Sequence, residues 1–171
     1  VNTIINEETD KGSLSVTKSV IGTTATEPFY FTVKDSAGNL VSRDGSTVFT
    51  INAGSTVTID ELPFGTYTIQ ETDASGNPVS YTPGTFPYQV SYSSENVEVS
   101  ASADGSATIT NTFVEETSVR VDKVWNDNEN HDGLRPSEIQ VQLIANGANT
   151  GMPVTLNAEN GWSYTWNNLE K

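Results

Sequence analysis

The sequence predicts an all-β chain of β-sandwich domains in tandem. Three observations carry that prediction. Apolar residues alternate with Thr and Ser at a period of two. The alternating runs are short and bounded by Gly, Pro, Asn and Asp. No convincing amphipathic helix of about ten residues interrupts them. Many short strands at this spacing suit a sandwich or a small barrel.

The elements follow in order. The predicted strands of the first set are Ser13–Ile21, Phe29–Lys34, Thr47–Ile51, Thr56–Asp60, Thr66–Thr72, Tyr88–Ser93, Val97–Ser100 and Ser106–Val114. Turn residues separate them: Asp35-Ser36-Ala37-Gly38-Asn39, Asn52-Ala53-Gly54, Leu62-Pro63-Phe64-Gly65, Ser75-Gly76-Asn77-Pro78 and Asp104-Gly105. A second set comprises Ser118–Trp125, Glu138–Asn146, Met152–Asn157 and Trp162–Trp166.

An echo links the two sets. Asn2-Thr3-Ile4-Ile5-Asn6-Glu7-Glu8-Thr9 matches Asn111-Thr112-Phe113-Val114-Glu115-Glu116-Thr117 with one inserted residue, and each is followed by a strand carrying a lysine, Lys18 or Lys123. A strand–linker–strand pattern that repeats in this way is the mark of tandem domains. The expected parse places the last strand and linker of an upstream domain at residues 1–9. A complete sandwich follows at 10–115, and the N-terminal half of a second at 116–171. The linkers are two or three acidic residues, too short to be floppy. With Val at position 1 and Met152 as the only methionine, the sequence reads as a piece of a longer array.

Composition excludes several function classes. Of 171 residues, 8 are Lys or Arg and 22 are Asp or Glu, giving a formal net charge of −14. Nucleic-acid binding needs clustered cations to neutralise phosphates, so no nucleic-acid partner is expected. A basic membrane-surface module is disfavoured equally, and no apolar run approaches the ~20 residues of a membrane span. There is no cysteine. That removes disulfides, thiolate metal sites and cysteine nucleophiles.

Side-chain parity supplies the chemistry. Residues i, i+2 and i+4 of a strand share a face. Lys18 falls on the apolar face of Leu14, Val16 and Val20. Glu71 continues the face of Tyr67 and Ile69. Asn111 sits among Ala107, Ile109 and Phe113. One Lys, one Glu and one Asn thus aim at the core of the same domain. Isolated buried charges are expensive. A buried Lys that sheds its proton is an amine nucleophile, and a buried carboxyl that keeps its proton polarises an amide carbonyl. Such a trio can form a Lys–Asn amide in one turnover, with ammonia as the leaving group. A buried Lys–Glu ion pair with a hydrogen-bonded Asn satisfies the same parity.

Three segments carry a resemblance: Gly12-Ser13-Leu14-Ser15-Val16-Thr17-Lys18, Leu62-Pro63-Phe64-Gly65-Thr66-Tyr67-Thr68-Ile69-Gln70-Glu71-Thr72 and Ala107-Thr108-Ile109-Thr110-Asn111-Thr112. They resemble the B-type repeat of collagen adhesin, the Cna-B family of Gram-positive surface adhesins and pilins. Val121-Asp122-Lys123-Val124-Trp125-Asn126-Asp127, Gly133-Leu134-Arg135-Pro136, Val141-Gln142-Leu143 and Trp162-Ser163-Tyr164 look like the same family. The resemblance implies transthyretin-like, Ig-related sandwiches with an internal isopeptide bond. It assigns Lys18 as the amine, Asn111 as the acceptor and Glu71 as the catalytic carboxyl. Lys123 matches the reactive lysine of a second domain and Asn2 an acceptor, but neither has its partners in sequence, so Lys123 is expected uncrosslinked. A strand donated from one molecule to the half-domain of the next is the competing arrangement.

The implied function is structural: a stalk or shaft segment of a cell-wall-anchored Gram-positive adhesin or pilus, next to neighbouring domains of its array. It is not a turnover enzyme and implies no cofactor. The alternatives are a module that binds a host matrix protein, and spacer domains attached to a surface enzyme. Asn128-Glu129-Asn130-His131-Asp132-Gly133 partly matches a calcium loop, but the twelfth place is Ile139, so an EF-hand is rejected and a polar turn expected. No metal site is assigned. His131 has no nucleophile in a triad frame. Trp125, Trp162 and Trp166 suggest a carbohydrate platform, although Trp125 and Trp162 continue apolar faces and read as core.

Overall fold

The computed structural model describes residues 10–171. It divides into one unit ending at Val114 and another spanning Glu115–Lys171. The first holds strands β1 (Lys11–Ile21), β2 (Phe29–Lys34), β3 (Phe49–Ile51), β4 (Thr56–Pro63), β5 (Gly65–Thr72), β6 (Tyr88–Tyr92), β7 (Asn96–Val99) and β8 (Gly105–Phe113). The second holds β9 (Glu116–Asp122), β10 (Glu138–Ala145), β11 (Ala148–Asn157) and β12 (Ser163–Glu170), with one 3₁₀ turn at Asn128–Asn130.

The first unit is a β-sandwich of two four-stranded sheets, ordered β4-β1-β8-β6 and β3-β2-β5-β7. Inward residues of both meet in one core, including Leu14, Val16 and Ile109 from the first sheet and Phe31, Val33 and Ile69 from the second. The outward positions of β1 and β8 are largely Ser and Thr, as alternation with a polar face leads one to expect. Ser15 and Thr17 of β1 hydrogen-bond Thr58 and Thr56 of β4 through their hydroxyls, at 3.0 and 2.8 Å. The pairing of β1 with β8 is parallel, from Leu14↔Gly105 to Ile21↔Thr112. The unit's first and last strands are therefore neighbours.

Two departures from the expected boundaries have local causes. β4 runs past Asp60 to Pro63. Asp60 and Glu61 together oppose Ser13, since Gly12 pairs with Leu62 and Leu14 with Ile59. Glu61 takes up the bulge with φ of 62°. β9 stops at Asp122 instead of Trp125. Its partner β12 begins at Ser163, and Trp162 before it has φ of 58°, so the ladder has no extended strand to pair with further on.

Two loops close by the same device. Asp35 accepts from the backbone N–H groups of Ala37 and Asn39 and from Asn39 Nδ2, at 2.9, 2.8 and 3.1 Å. Asp73 accepts likewise from Ser75, Asn77 and Asn77 Nδ2. These hydrogen bonds hold both carboxyl pKa values below the ordinary carboxylate range.

In the second unit β9 pairs with β12 and β10 with β11, as two-stranded antiparallel sheets. Leu156 is fully buried there. The 127–135 segment is a polar turn closed by an ion pair: Arg135 Nε donates to Asp127 Oδ2 at 2.8 Å and its Nη2 to Oδ1 at 2.6 Å. Asn130 Oδ1 accepts from Arg135 N–H at 2.9 Å. Of the side chains that matched a calcium loop, Asn130 and Asp132 thus accept from the backbone N–H groups of Arg135 and Leu134.

Gly105 opens β8 where the sheets approach closely. A Cβ there would lie 2.8 Å from Val97 Cγ1 and 3.1 Å from both Leu14 Cδ1 and Val99 Cγ2. Overpacking of this kind typically costs about 1–3 kcal/mol. Gly105→Ala should lower the stability of the first unit by that order, read as the shift of its urea unfolding midpoint.

Candidate functional site

The three inward polar residues arrive from different strands. Lys18 lies on β1 and Asn111 on β8, in one sheet. The parallel register pairs Lys18 with Ile109 and Val20 with Asn111, so Lys18 and Asn111 are diagonal neighbours on the inward face. Glu71 lies on β5 of the facing sheet, opposite Phe31 of β2. All three are sealed from solvent, at 1% exposure for Lys18, 1% for Glu71 and 0% for Asn111.

They form one hydrogen-bonded chain. Lys18 Nζ donates to Glu71 Oε2 at 2.9 Å, and Asn111 Nδ2 donates to Glu71 Oε1 at 2.9 Å. Lys18 Nζ also lies 4.4 Å from the centre of the Phe29 ring, which meets Tyr88 edge-on at 5.6 Å. Asn111 Oδ1 is buried without a hydrogen-bond partner among the described residues. An orphaned amide oxygen inside a core is costly.

The electrostatics favour a mobile proton. Burial pushes the Lys18 pKa below its ordinary value, and the hydrogen bond and charge of Glu71 oppose that without reversing it. A half-turn of the Asn111 amide exchanges Nδ2 and Oδ1. Oδ1 then faces Glu71 Oε1, and that contact becomes a hydrogen bond once the carboxyl carries the proton. A neutral amine, a carboxylic acid and an amide carbonyl held in one dry cluster can exchange the amide nitrogen for the amine.

Two neighbours of the cluster were not singled out from the sequence. Phe29 supplies the ring beneath the amine. Tyr92 of β6 places its phenol oxygen 2.9 Å from the Glu71 backbone N–H, which donates to it. The available signal was period two along β6, where Tyr88, Val90 and Tyr92 share a face and pack against the core.

Lys123 has different surroundings. It lies just beyond β9, half-buried, with Nζ donating to Val124 O at 2.8 Å and 3.9 Å from the centre of the Trp125 ring. Trp125 meets Trp162 edge-on at 5.1 Å, and both are half-buried instead of fully enclosed. Trp166 meets Tyr164 edge-on at 5.1 Å. Asn2 lies outside the described residues. Among the described residues no group of three His, Asp or Glu side chains is placed to hold a metal ion.

Comparison with known proteins gives two family matches. Residues 18–113 match the family described as Domain of unknown function (DUF7601), and residues 119–171 match the Cna protein B-type domain. The collagen adhesin of Staphylococcus aureus is 48% identical over 65 residues, covering 37% of this chain and 6% of that protein. The chain thus matches only a small part of this curated relative's length. A single B repeat unit of the collagen binding surface protein of Staphylococcus aureus is 25% identical, with a TM-score of 0.33, over 95% of this chain and 78% of that one. A streptococcal ancillary pilin is 14% identical, with a TM-score of 0.49, over 94% of this chain and 50% of that one. The assignment of the fold rests on the two facing sheets themselves.

The Lys18 shift has a measurable sign. Asn111→Ala removes the amide acceptor and leaves Lys18 a free amine. Its folded-state pKa lies below the unfolded value of about 10.5, so folding expels a proton between the two values. The penalty is fully present below the folded pKa and fades as pH rises from there to the unfolded value, so stability climbs toward alkaline pH across that window. Asn111→Ala should therefore gain urea stability with rising pH in that window relative to Asn111→Ala/Lys18→Met.

Proposed function

Since the chain belongs to the family described as Domain of unknown function (DUF7601), with a Cna protein B-type match following it, we propose that it is a structural segment of a Gram-positive surface adhesin or pilus stalk whose first unit is stapled by a Lys18–Asn111 isopeptide bond. The observation that carries this reading is the buried chain Lys18–Glu71–Asn111, with Asn111 Oδ1 left unpartnered. The likeness to the collagen adhesin of Staphylococcus aureus and the Cna protein B-type match support the surface location and the role beside neighbouring domains of an array. Residues 10–115 form the complete domain, and 116–171 the N-terminal half of a second.

The reaction runs once. Lys18 passes its proton to Glu71, and the free Nζ attacks Asn111 Cγ while the Glu71 carboxyl donates to Oδ1. The tetrahedral carbon collapses as Oδ1 returns its proton to Glu71 and the Cγ–Nδ2 bond breaks. The second proton shed by Nζ is relayed through Glu71 to Nδ2, which departs as ammonia. The product is a neutral secondary amide in place of a buried ammonium. Closing a loop of ~100 residues contributes roughly 4–5 kcal/mol in the chain-entropy picture used for disulfides. Unlike a disulfide, this link survives reductants.

Intact-mass measurement tests the proposal. The wild-type chain should be lighter than its sequence by one ammonia, and Lys18→Ala, Glu71→Ala and Asn111→Ala should each restore the full mass. A wild-type chain at full mass overturns the crosslink. Lys123 serves as an internal contrast: peptide mapping should recover it as a free lysine, and a Lys123–Asn2 peptide would contradict that expectation.

A further inference from the structure

Glu71 sits where its sheet has run out. β7 pairs with β5 only from Gly65 to Thr68, and the next N–H, that of Ile69, reaches Glu95 O at 2.9 Å. Glu71 lies beyond that ladder, and its backbone groups find other partners. Its N–H donates to Tyr92 Oη at 2.9 Å. Its carbonyl accepts from Val79 N–H at 3.2 Å and from Gln70 Nε2 at 3.1 Å. Gln70 Nε2 also donates to Tyr92 Oη, at 3.2 Å.

Tyr92 belongs to the opposite sheet. It pairs with Ile109 of β8, two residues before Asn111 and itself the register partner of Lys18. The phenol therefore crosses the sandwich, from the sheet that carries the amine and the amide to the backbone of the carboxyl residue. We propose that Tyr92 is a positioning residue for the Lys18–Asn111 reaction, its phenol oxygen standing in for the missing strand and fixing Glu71 against the facing sheet. This rests on the crosslinking reading above. Burial keeps the phenol neutral by raising its pKa, so it is a stable acceptor over the working range. Gln70 braces it from the same side as the Glu71 carbonyl. The consequence is kinetic: small misplacements of a reacting group cost factors of about ten to a hundred in rate.

The test follows ammonia loss in time. The full chain is synthesised in a cell-free pulse, quenched in denaturant at intervals and weighed. Tyr92→Phe should slow the mass change roughly tenfold or more, and Gln70→Ala by a smaller factor. A core variant of equal thermal destabilisation, Val97→Ala, should react at near the wild-type rate. In a Lys18→Met background, which cannot crosslink, Tyr92→Phe should expose the Glu71 amide to hydrogen exchange while Phe31 and Ile109 stay protected. That readout separates a lost local contact from a loosened fold. Tyr92→Phe reacting at the wild-type rate, or slowed no more than Val97→Ala, overturns the proposal, as does an unchanged Glu71 amide. A wild-type chain that never loses ammonia overturns the crosslink itself, and the Glu71 amide then reports on the strut alone. If Tyr92→Phe fails to fold, the rate of Gln70→Ala decides: slowing beyond its own stability loss supports the strut, and none refutes it.

Discussion

A lysine and a glutamate removed from water, 2.9 Å apart and sharing one asparagine, are the constraint around which the first unit is organised. Taking a full ion pair into such a core carries a desolvation penalty that Coulomb attraction often fails to offset. As a device for stability alone, apolar side chains of similar volume would serve as well. The pair fits the proposed crosslinking reaction better than a role in stability alone. Lys18 is pushed toward the neutral amine by burial, and Glu71 is the only carboxylate that contacts it among the described residues. The rest of the sandwich supports that local arrangement. The parallel β1–β8 pairing brings residues distant in sequence onto one face. The opposing sheet supplies the carboxyl, and Phe29 closes the cluster against water.

The second unit shows what the same residue type does without those surroundings. Lys123 stands just past a strand end, over a tryptophan ring, with its ammonium bound to a neighbouring carbonyl. A cation over an aromatic face in partial solvent is well tolerated. Arg135 lies over the same ring at 5.4 Å and pairs with Asp127, so the region around Trp125 is a small cationic lattice. Sequence likeness between the two lysine strands therefore does not translate into likeness of environment.

Much of the fold was legible because period-two alternation is a local signal. Phe29–Lys34 falls at the bounds the sequence suggested, and most other strands shift only at their ends. The inward aim of Lys18, Glu71 and Asn111 followed from the same rule, since a strand cannot turn one side chain inward without fixing its neighbours two residues away. What alternation cannot convey is partnership between strands. Nothing local in β6 says that Tyr92 will bond the backbone of Glu71, because that depends on where β7 ends. The early stop of β9 likewise depends on Trp162 of a distant segment.

The parallel adjacency of β1 and β8 has a mechanical meaning. Tension applied to this unit enters along β1 and leaves along β8, at opposite ends of two strands that run the same way. Such a pair is loaded in shear, so its hydrogen bonds resist together instead of opening one at a time like an antiparallel hairpin pulled from its free ends. The covalent tie proposed between Lys18 and Asn111 would go further. It would give the pull a path that bypasses everything between those positions, so the intervening strands would become hidden length that stretching never releases.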